Sequence, residues 1–425
     1  MKKNTSFFIA IRYLWGRAHE GGRYLRGAAA GIAVSLIPII VTLIVADGMI
    51  RGILDRYLEL GTGHIQVYDM FNESENGDFD LSDTLIKIME VDGVKGVWPE
   101  QRGMGVLAGR SGRTGVTVRA VEPSFWDHPR GENFLRIIEG SNKPVSSRDI
   151  VLGETLALTI GAEAGDTVRL MTLRYNDSGR MSPRTASFTV SGIVSCGYNE
   201  LDAVWCVISA DGGERILPER TSTNFIIKID DPFRNAYDFR HELISKLGNS
   251  YSALTWMDLL RSQHSSYETT RQLLLFIMAL IVIVAAVNVS SATSMLALER
   301  QRDIAVLKVT GSSVTGIKDI FLFGGFLTGL FGAVTGILLG LLIGVNINFI
   351  IRSLEKLLSF FSGLFNGGEV KILDPGFYLE TIPIIIDWGA VLLIGFFTVT
   401  CSVLASWIPA RRAGKLKPME LLRKT

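Results

Sequence analysis

Residues able to do covalent chemistry are few and scattered along this 425-residue chain. None of its five histidines is paired at metal-ligand spacing. There is no HExxH, no GxSxG elbow and no CxxC. Of the three cysteines, Cys196 and Cys206 lie in polar sequence and Cys401 in an apolar stretch, too few for a disulfide framework. A Cys196–Cys206 bridge stays open for a domain in an oxidising compartment, and two buried free thiols are the plainer reading. GSSVTGIK at Gly311–Lys318 imitates a phosphate loop. It lacks the lysine that must follow the second glycine, because Ile317 stands there, and Asp319 follows Lys318. No metal or nucleotide site is expected on this chain. The function is therefore sought in binding and movement.

The elements that would carry such movement are apolar. Hydrophobic residues make up 48% of the chain and the net charge is +1, which gives no nucleic-acid surface. A membrane helix needs about 20 apolar residues. Four segments qualify, and they divide the chain as follows: a cytoplasmic amphipathic segment 1–26, span one at 27–50, an extracytoplasmic domain with stalk helices at 51–271, span two at 272–298, an inner loop at 299–319, span three at 320–351, an outer loop at 352–387, span four at 388–410 and a tail at 411–425. Lys and Arg gather before span one, between spans two and three, and after span four, so both termini are expected inside. Phe7–Leu14 reads as a short amphipathic helix on the inner surface. The region before span one is long and Pro38 interrupts the apolar run, which argues against a cleaved signal peptide.

Small residues mark helix contacts in lipid. Span three repeats glycine at helical spacing: Gly325, Gly329, Gly332, Gly336, Gly340 and Gly344. Asn288, Ser290, Ser291, Thr293 and Ser294 make span two partly polar, and these groups are expected to face other helices. No charge lies deep in any span, which argues against an ion-coupled carrier. Span one is expected to continue as a helix through Ile50, Ile53, Leu54 and Leu58, and a second helix to approach span two from Trp256. Such stalks either transmit motion or act as spacers.

Between the stalks the pattern turns to short alternating strands, including 64–68, 114–121, 167–171, 187–194, 203–208 and 224–229, with helices at 83–90, 154–160 and 236–247. The fold class is thus an α-helical membrane bundle of four transmembrane helices, with a large α+β domain of two subdomains inserted between spans one and two. The polar, turn-rich YNDSGRMSPR at Tyr175–Arg184 is expected to project as a loop or hairpin tip.

The inner loop reads ALERQRDIAVLKVTGSS. A short helix over Glu299–Val309 would set Ile304 and Leu307 on one face, flanked by Glu299, Arg302, Asp303 and Lys308, and Gly311 would end it. It either lies on the membrane or seats in a cytoplasmic ATPase. This loop, the ending WIPARRAGKLKPMELLR, and the order of one span, a large domain and three spans resemble the MacB/FtsX-type permeases of ABC transporters. AIRYLWGR, DGM, GHIQV, VLGETLALTIGAEAGDTVRL, FTVSGIVSCGYNELD and VAAVNVSSATSML, in that order, resemble the lipoprotein-releasing permeases of that group over nearly the whole chain.

The resemblance implies a non-enzymatic permease in the bacterial inner membrane. It implies a dimer with a second permease subunit, a paralogue or the chain itself, above a pair of ABC ATPase subunits that hold the ATP and Mg. Triacylated lipoproteins would be the substrate, entering sideways between spans one and two and leaving to a periplasmic chaperone. The loop with Tyr175, Asn176, Gly179, Met181, Pro183 and Arg184 resembles the hairpin that captures the chaperone, although only Pro183 of the two framing prolines is present. An apolar cleft lined by Val41, Ile44, Met49, Ile53, Phe276 and Ile283 would suit acyl chains. Moving lipid chains into water costs about 0.8 kcal/mol per CH₂, so three chains need shelter, ATP and a carrier. Two alternatives remain: an efflux permease, which the missing ATPase segment disfavours, and a regulator of a cell-wall hydrolase, which the size of the outer domain disfavours.

Overall fold

The computed structural model describes residues 21–69, 81–128, 133–175, 181–217, 223–248, 250–364, 379 and 381–415. The amphipathic segment at Phe7–Leu14 and the tail beyond Lys415 lie outside these residues. The chain forms two compact units, one of Met1–Gly48, Tyr267–Val370 and Ile382–Thr425, the other of Met49–Ser266 and Lys371–Thr381.

Among the described residues, four helices are long and apolar enough to cross a membrane. The first, α1 (Gly21–Arg56), ends in a π-helical turn, Tyr57–Thr62. The helices α2 (Leu81–Met89), α3 (Glu154–Ile160), α4 (Asn199–Asp202), α5 (Ala210–Ile216), α6 (Pro232–Leu247) and α7 (Trp256–Leu259) accompany the sheet. Then come α8 (Arg261–Glu299), α9 (Gln301–Val309), α10 (Val314–Val345), α11 (Ile347–Leu364) and α12 (Trp388–Lys415). The third long helix has the length expected, but it begins and ends six residues earlier than the 320–351 read from the sequence. It stops at Val345, Asn346 breaks it, and α11 fills much of what was read as an outer loop.

In the bundle, the glycine stripe of α10 splits between two partners. A Cβ on Gly325 or Gly329 would meet Ser406 or Ser402 of α12 at under 3 Å. A Cβ on Gly332, Gly336 or Gly340 would stand 2.8 Å from Ile32, Leu36 or Ile40 of α1, and one on Gly344 would meet Ile44. Ascending numbers on both helices make α1 and α10 parallel, while α10 and α12 run antiparallel. Hydroxyls on the contact faces bond within their own helices: Thr398 to Ile394 O, Ser402 to Thr398 O and Ser406 to Ser402 O. Thr293 of α8 reaches both Val289 O and the Ser406 hydroxyl. Asn288 and Ser291, by contrast, are exposed on α8 rather than turned to a neighbouring helix.

The second unit is built on one ten-stranded sheet: β1 (Ile65–Asp69), β2 (Val94–Ala108), β3 (Arg113–Val121), β4 (Arg136–Gly140), β5 (Asp149–Gly153), β6 (Thr167–Tyr175), β7 (Met181–Ser195), β8 (Trp205–Ile208), β9 (Asn224–Ile229) and β10 (Tyr251–Thr255). The order is β10-β1-β9-β2-β3-β8-β5-β7-β4, with β6 pairing β2 and β7. The two expected subdomains are joined into one hydrogen-bonded sheet by β2, whose first half pairs β9 and whose last residues pair β6. Leu107, Val118, Leu152, Ile160, Leu170 and Ile208 belong to its core.

Gly336→Leu is expected to destabilise the bundle by at least about 1–3 kcal/mol, because Ala33 O as well as Leu36 must move. Gly31→Ala, which meets nothing within 4 Å, is expected to be neutral. Thermal unfolding of both variants in detergent checks the difference.

Candidate functional site

One end of the bundle gathers Leu25 of α1, Leu296 of α8, Ile304 of α9, Ile317 of α10 and Ala410 of α12 into one apolar cluster. The short α9 sits there because its chain reverses tightly on both sides. Gly311 at φ +93° accepts the turn that an L side chain resists, and its N–H bonds to Lys308 O while Ser312 N–H bonds to Leu307 O. Ser313 then caps α10 by accepting from Gly316 N–H at 3.1 Å.

This corrects two assignments. Glu299 is the last residue of α8 and not part of α9. Ile304 and Ala305 are buried in the bundle, so the outward face of α9 consists of Arg302, Val306 and Val309, with Leu307 and Lys308 half-buried. Asp303 pairs with Arg300 at 3.1 Å. An amphipathic period shows which residues share a face but not which partner that face meets.

At the opposite end, Arg271 of α8 binds Asp47 of α1 at 3.2 Å and also the carboxylate of Asp387. Asp387 in turn accepts from Ala390 N–H at 3.1 Å as α12 begins. Three spans are thus tied by one guanidinium. The six candidate cleft residues differ widely in exposure. Ile44 packs on Gly344 and is buried, Ile53 is buried, Val41 and Met49 are half-buried, and Phe276 and Ile283 are 62% and 47% exposed.

In the sheet unit, the end of the first stalk is held by buried charge. A helix end leaves carbonyls unpaired. Arg119 donates to Leu60 O, Arg102 to Gly61 O at 2.8 Å, and Gln66 to Thr62 O at 2.6 Å. Both arginines pair with the buried Glu100. Glu59, in the π-helical turn, pairs with the fully buried Lys228 at 3.0 Å and with His64 Nε2 at 3.1 Å. Ile229 N–H donates to His64 Nδ1, which fixes the ring proton on Nε2, aimed at Glu59. Lys228 also lies 4.7 Å from the Phe125 ring centre. Arg56 donates to Cys196 O. Sequence reading missed this network, whose members lie far apart in the chain; the polar Glu59 and Lys228 inside otherwise apolar runs were the available signal.

Strands β6 and β7 pair down to Tyr175 opposite Met181, with Pro183 opposite Leu173 and Arg184 opposite Thr172. Tyr175 and Met181–Arg184 therefore lie on the two arms of a hairpin. Asn176 and Gly179 lie outside the described residues. Cys196 and Cys206 are free and buried. Burial pushes the Cys196 thiol well up, and that of Cys206 up to about 12, so neither is a nucleophile near neutral pH. Among the described residues no group of three or more His, Cys, Asp or Glu comes together as a metal site.

Four long apolar helices and a large α+β sheet unit are the parts of a membrane permease of FtsX-like type. The family description "MacB-like periplasmic core domain" matches residues 27–236, and "FtsX-like permease C-terminal" matches 275–418. The chain belongs to this MacB/FtsX-like permease family. It is 28% identical to the lipoprotein-releasing system transmembrane protein LolC of Neisseria meningitidis over 98% of both chains. It is 26% identical to LolC of Xylella fastidiosa, again over 98% of both chains. It is 24% identical to the lipoprotein-releasing system transmembrane protein LolE of Haemophilus influenzae over 99% of both.

Removing one partner of a buried ion pair costs about 3–5 kcal/mol. Lys228→Met is expected to lower stability on that scale, and the double variant Glu59→Gln, Lys228→Met to recover part of the loss. Thermal unfolding of the full chain in detergent measures both; equal losses in the single and double variants would contradict the pairing.

Proposed function

We propose that this chain is a permease subunit of an ABC transporter that releases lipoproteins from the inner membrane. It has no catalytic role of its own. ATP is hydrolysed by a separate pair of ATPase subunits, and a second permease subunit completes the membrane part. The observation that carries this reading is full-length similarity to lipoprotein-releasing permeases joined to the geometry of α9, a short helix rooted in the bundle by Ile304 and showing Arg302, Val306 and Val309 outward.

The mechanism follows from these parts. Basic residues Arg23, Arg26, Arg300, Arg302, Lys308, Arg411 and Arg412 lie at the α9 end of the bundle, which supports placing that end on the cytoplasmic side. The sheet unit then stands in the periplasm, inserted between spans one and two. ATP-driven closure of the ATPase pair pushes on α9. Because Ile304 shares a core with the ends of all four spans, the push moves the bundle as a body. The stalk ending at Thr62 carries the motion into the sheet through Arg119, Arg102 and the Glu59–Lys228 pair. A triacylated lipoprotein enters between spans one and two, where Phe276 and Ile283 present an apolar face. Val41 and Met49 join that face only when span one moves off span three and frees Ile44 from Gly344. The hairpin ending at Tyr175–Met181 passes the lipoprotein to a periplasmic chaperone.

Val306→Asp with Val309→Asp is expected to abolish ATPase association while the chain still inserts in the membrane. Ile304→Asp is expected to unfold the bundle instead. Purification of the tagged chain from native membranes, with its partners identified by mass spectrometry, tests both; an ATPase retained by the Val306/Val309 variant would sink this assignment.

The Arg271 clamp ties span one to span two, where substrate would enter. Its side chains are about 40% exposed for Arg271 and Asp387, so Arg271→Ala is expected to change stability by no more than about 1 kcal/mol. ATP-independent leakage of lipoprotein to an acceptor is expected to rise in this variant. Unchanged leakage would show that the clamp does not hold the entrance closed.

A further inference from the structure

Helix α11 follows α10 after a single break at Asn346, whose side chain donates back to Leu342 O at 2.8 Å. Its eighteen residues separate cleanly around the helix at 100° each. Ile347, Ile350, Ile351, Leu354, Leu357, Leu358 and Phe361 fall on one arc, which Phe349 and Phe360 widen, with Ser353 as its one polar member. Asn348, Arg352, Glu355, Lys356, Ser359 and Ser362 form the other arc. The polar arc is anchored: Asn348 exchanges two hydrogen bonds with the backbone of Ile382, at 2.8 and 3.1 Å. The apolar arc is uncovered, with Phe349 72%, Leu357 51%, Phe360 66% and Phe361 54% exposed.

We propose that α11 lies in the membrane interface at the end of span three and buries this apolar arc among the lipids of that leaflet. Three observations on the chain select lipid as the occupant. First, the helix continues directly from a span, so its first turn leaves the bilayer at the surface and its apolar face is continuous with the exposed Leu338, Leu342 and Val345 of α10. Second, the apolar arc covers more than half the circumference, wider than the stripe one helix presents to a protein groove and suited to immersion at the headgroup boundary. Third, Arg352 and Lys356, both exposed, lie on the opposite arc beside the half-buried Asn348 and Glu355, where long basic side chains reach up to lipid phosphates. The inference rests on the reading that the four long helices cross a membrane. It adds a fixed contact with lipid beside the lipoprotein's own leaflet, and sets the depth of span three against any push from α9.

The test uses the full chain with Cys401→Ala, Cys196 and Cys206 being buried, carrying an environment-sensitive fluorophore at one new cysteine. The chain is reconstituted in phosphatidylethanolamine–phosphatidylglycerol vesicles whose lipids bear a nitroxide quencher high on the acyl chain. Phe361→Cys, with Phe360→Cys as a second position, is expected to give blue-shifted emission that the nitroxide lipid quenches. Lys356→Cys is expected to give neither. Leu342→Cys on α10 serves as the control and is expected to be quenched. Quenching at Leu342 without any at Phe361 or Phe360 overturns the interfacial placement and leaves the membrane reading intact. Emission at Phe361 that is blue-shifted but unquenched, together with Phe361→Cys cross-links between two copies, overturns it in favour of a second chain. No quenching at Leu342 sinks the membrane reading and this inference with it.

Discussion

Close approach of helices without hydrophobic drive is the constraint on which the bundle depends. Lipid is as apolar as leucine, so helices gain little by touching unless their surfaces fit. Six of the eight glycines of α10 supply that fit, four toward α1 and two toward α12. Because the same helix contacts both neighbours through backbone rather than flexible side chains, the bundle can act as one stiff part. The proposed function relies on that stiffness to let a short helix at one end matter at the other. The hydroxyls on α12 follow the same logic, since each satisfies itself within its helix and leaves the glycine contact undisturbed.

The far end of the stalk solves a different problem with different chemistry. There the helix must end inside a sheet, and its last carbonyls would be orphaned. Arginines 102 and 119 cover them, Glu100 neutralises both, and Glu59 with Lys228 and His64 pins the π-helical turn. Buried ion pairs of this kind add little net stability but punish any misplacement strongly. They therefore suit a joint that must hold one geometry while force passes through it. The π-helical turn itself, with its unusual hydrogen-bond register, marks where straight helix gives way to sheet.

How legible this was in the sequence depended on range. Spans and the glycine stripe were visible because length, hydropathy and spacing are local properties. The hairpin around Tyr175–Arg184 showed itself by turn chemistry between two alternating runs. Strand β2 was missed because Gly96, Pro99, Gly103 and Gly105 interrupt its pattern, and such residues argue against a strand until its partners are known. Helix α11 escapes a hydropathy reading because its charges alternate with apolar residues on a helical period, so their average is moderate. The Glu59–Lys228 and Asp47–Arg271–Asp387 links join residues that no local window contains. Ile304 falls on the expected helix but is buried in the bundle, since period alone does not distinguish a core from a docking face.

The proposed function makes α9 an arm for an energy source and the sheet unit a periplasmic receiver, with release of an acylated protein as the work of that series. The most direct measurement reconstitutes the purified assembly of this chain with its co-purifying subunits in vesicles loaded with a triacylated lipoprotein. Lipoprotein appearing in the soluble fraction is then followed in the presence of a chaperone. Release that requires ATP hydrolysis is predicted. Steady ATP hydrolysis with every lipoprotein still held in the vesicle would contradict it.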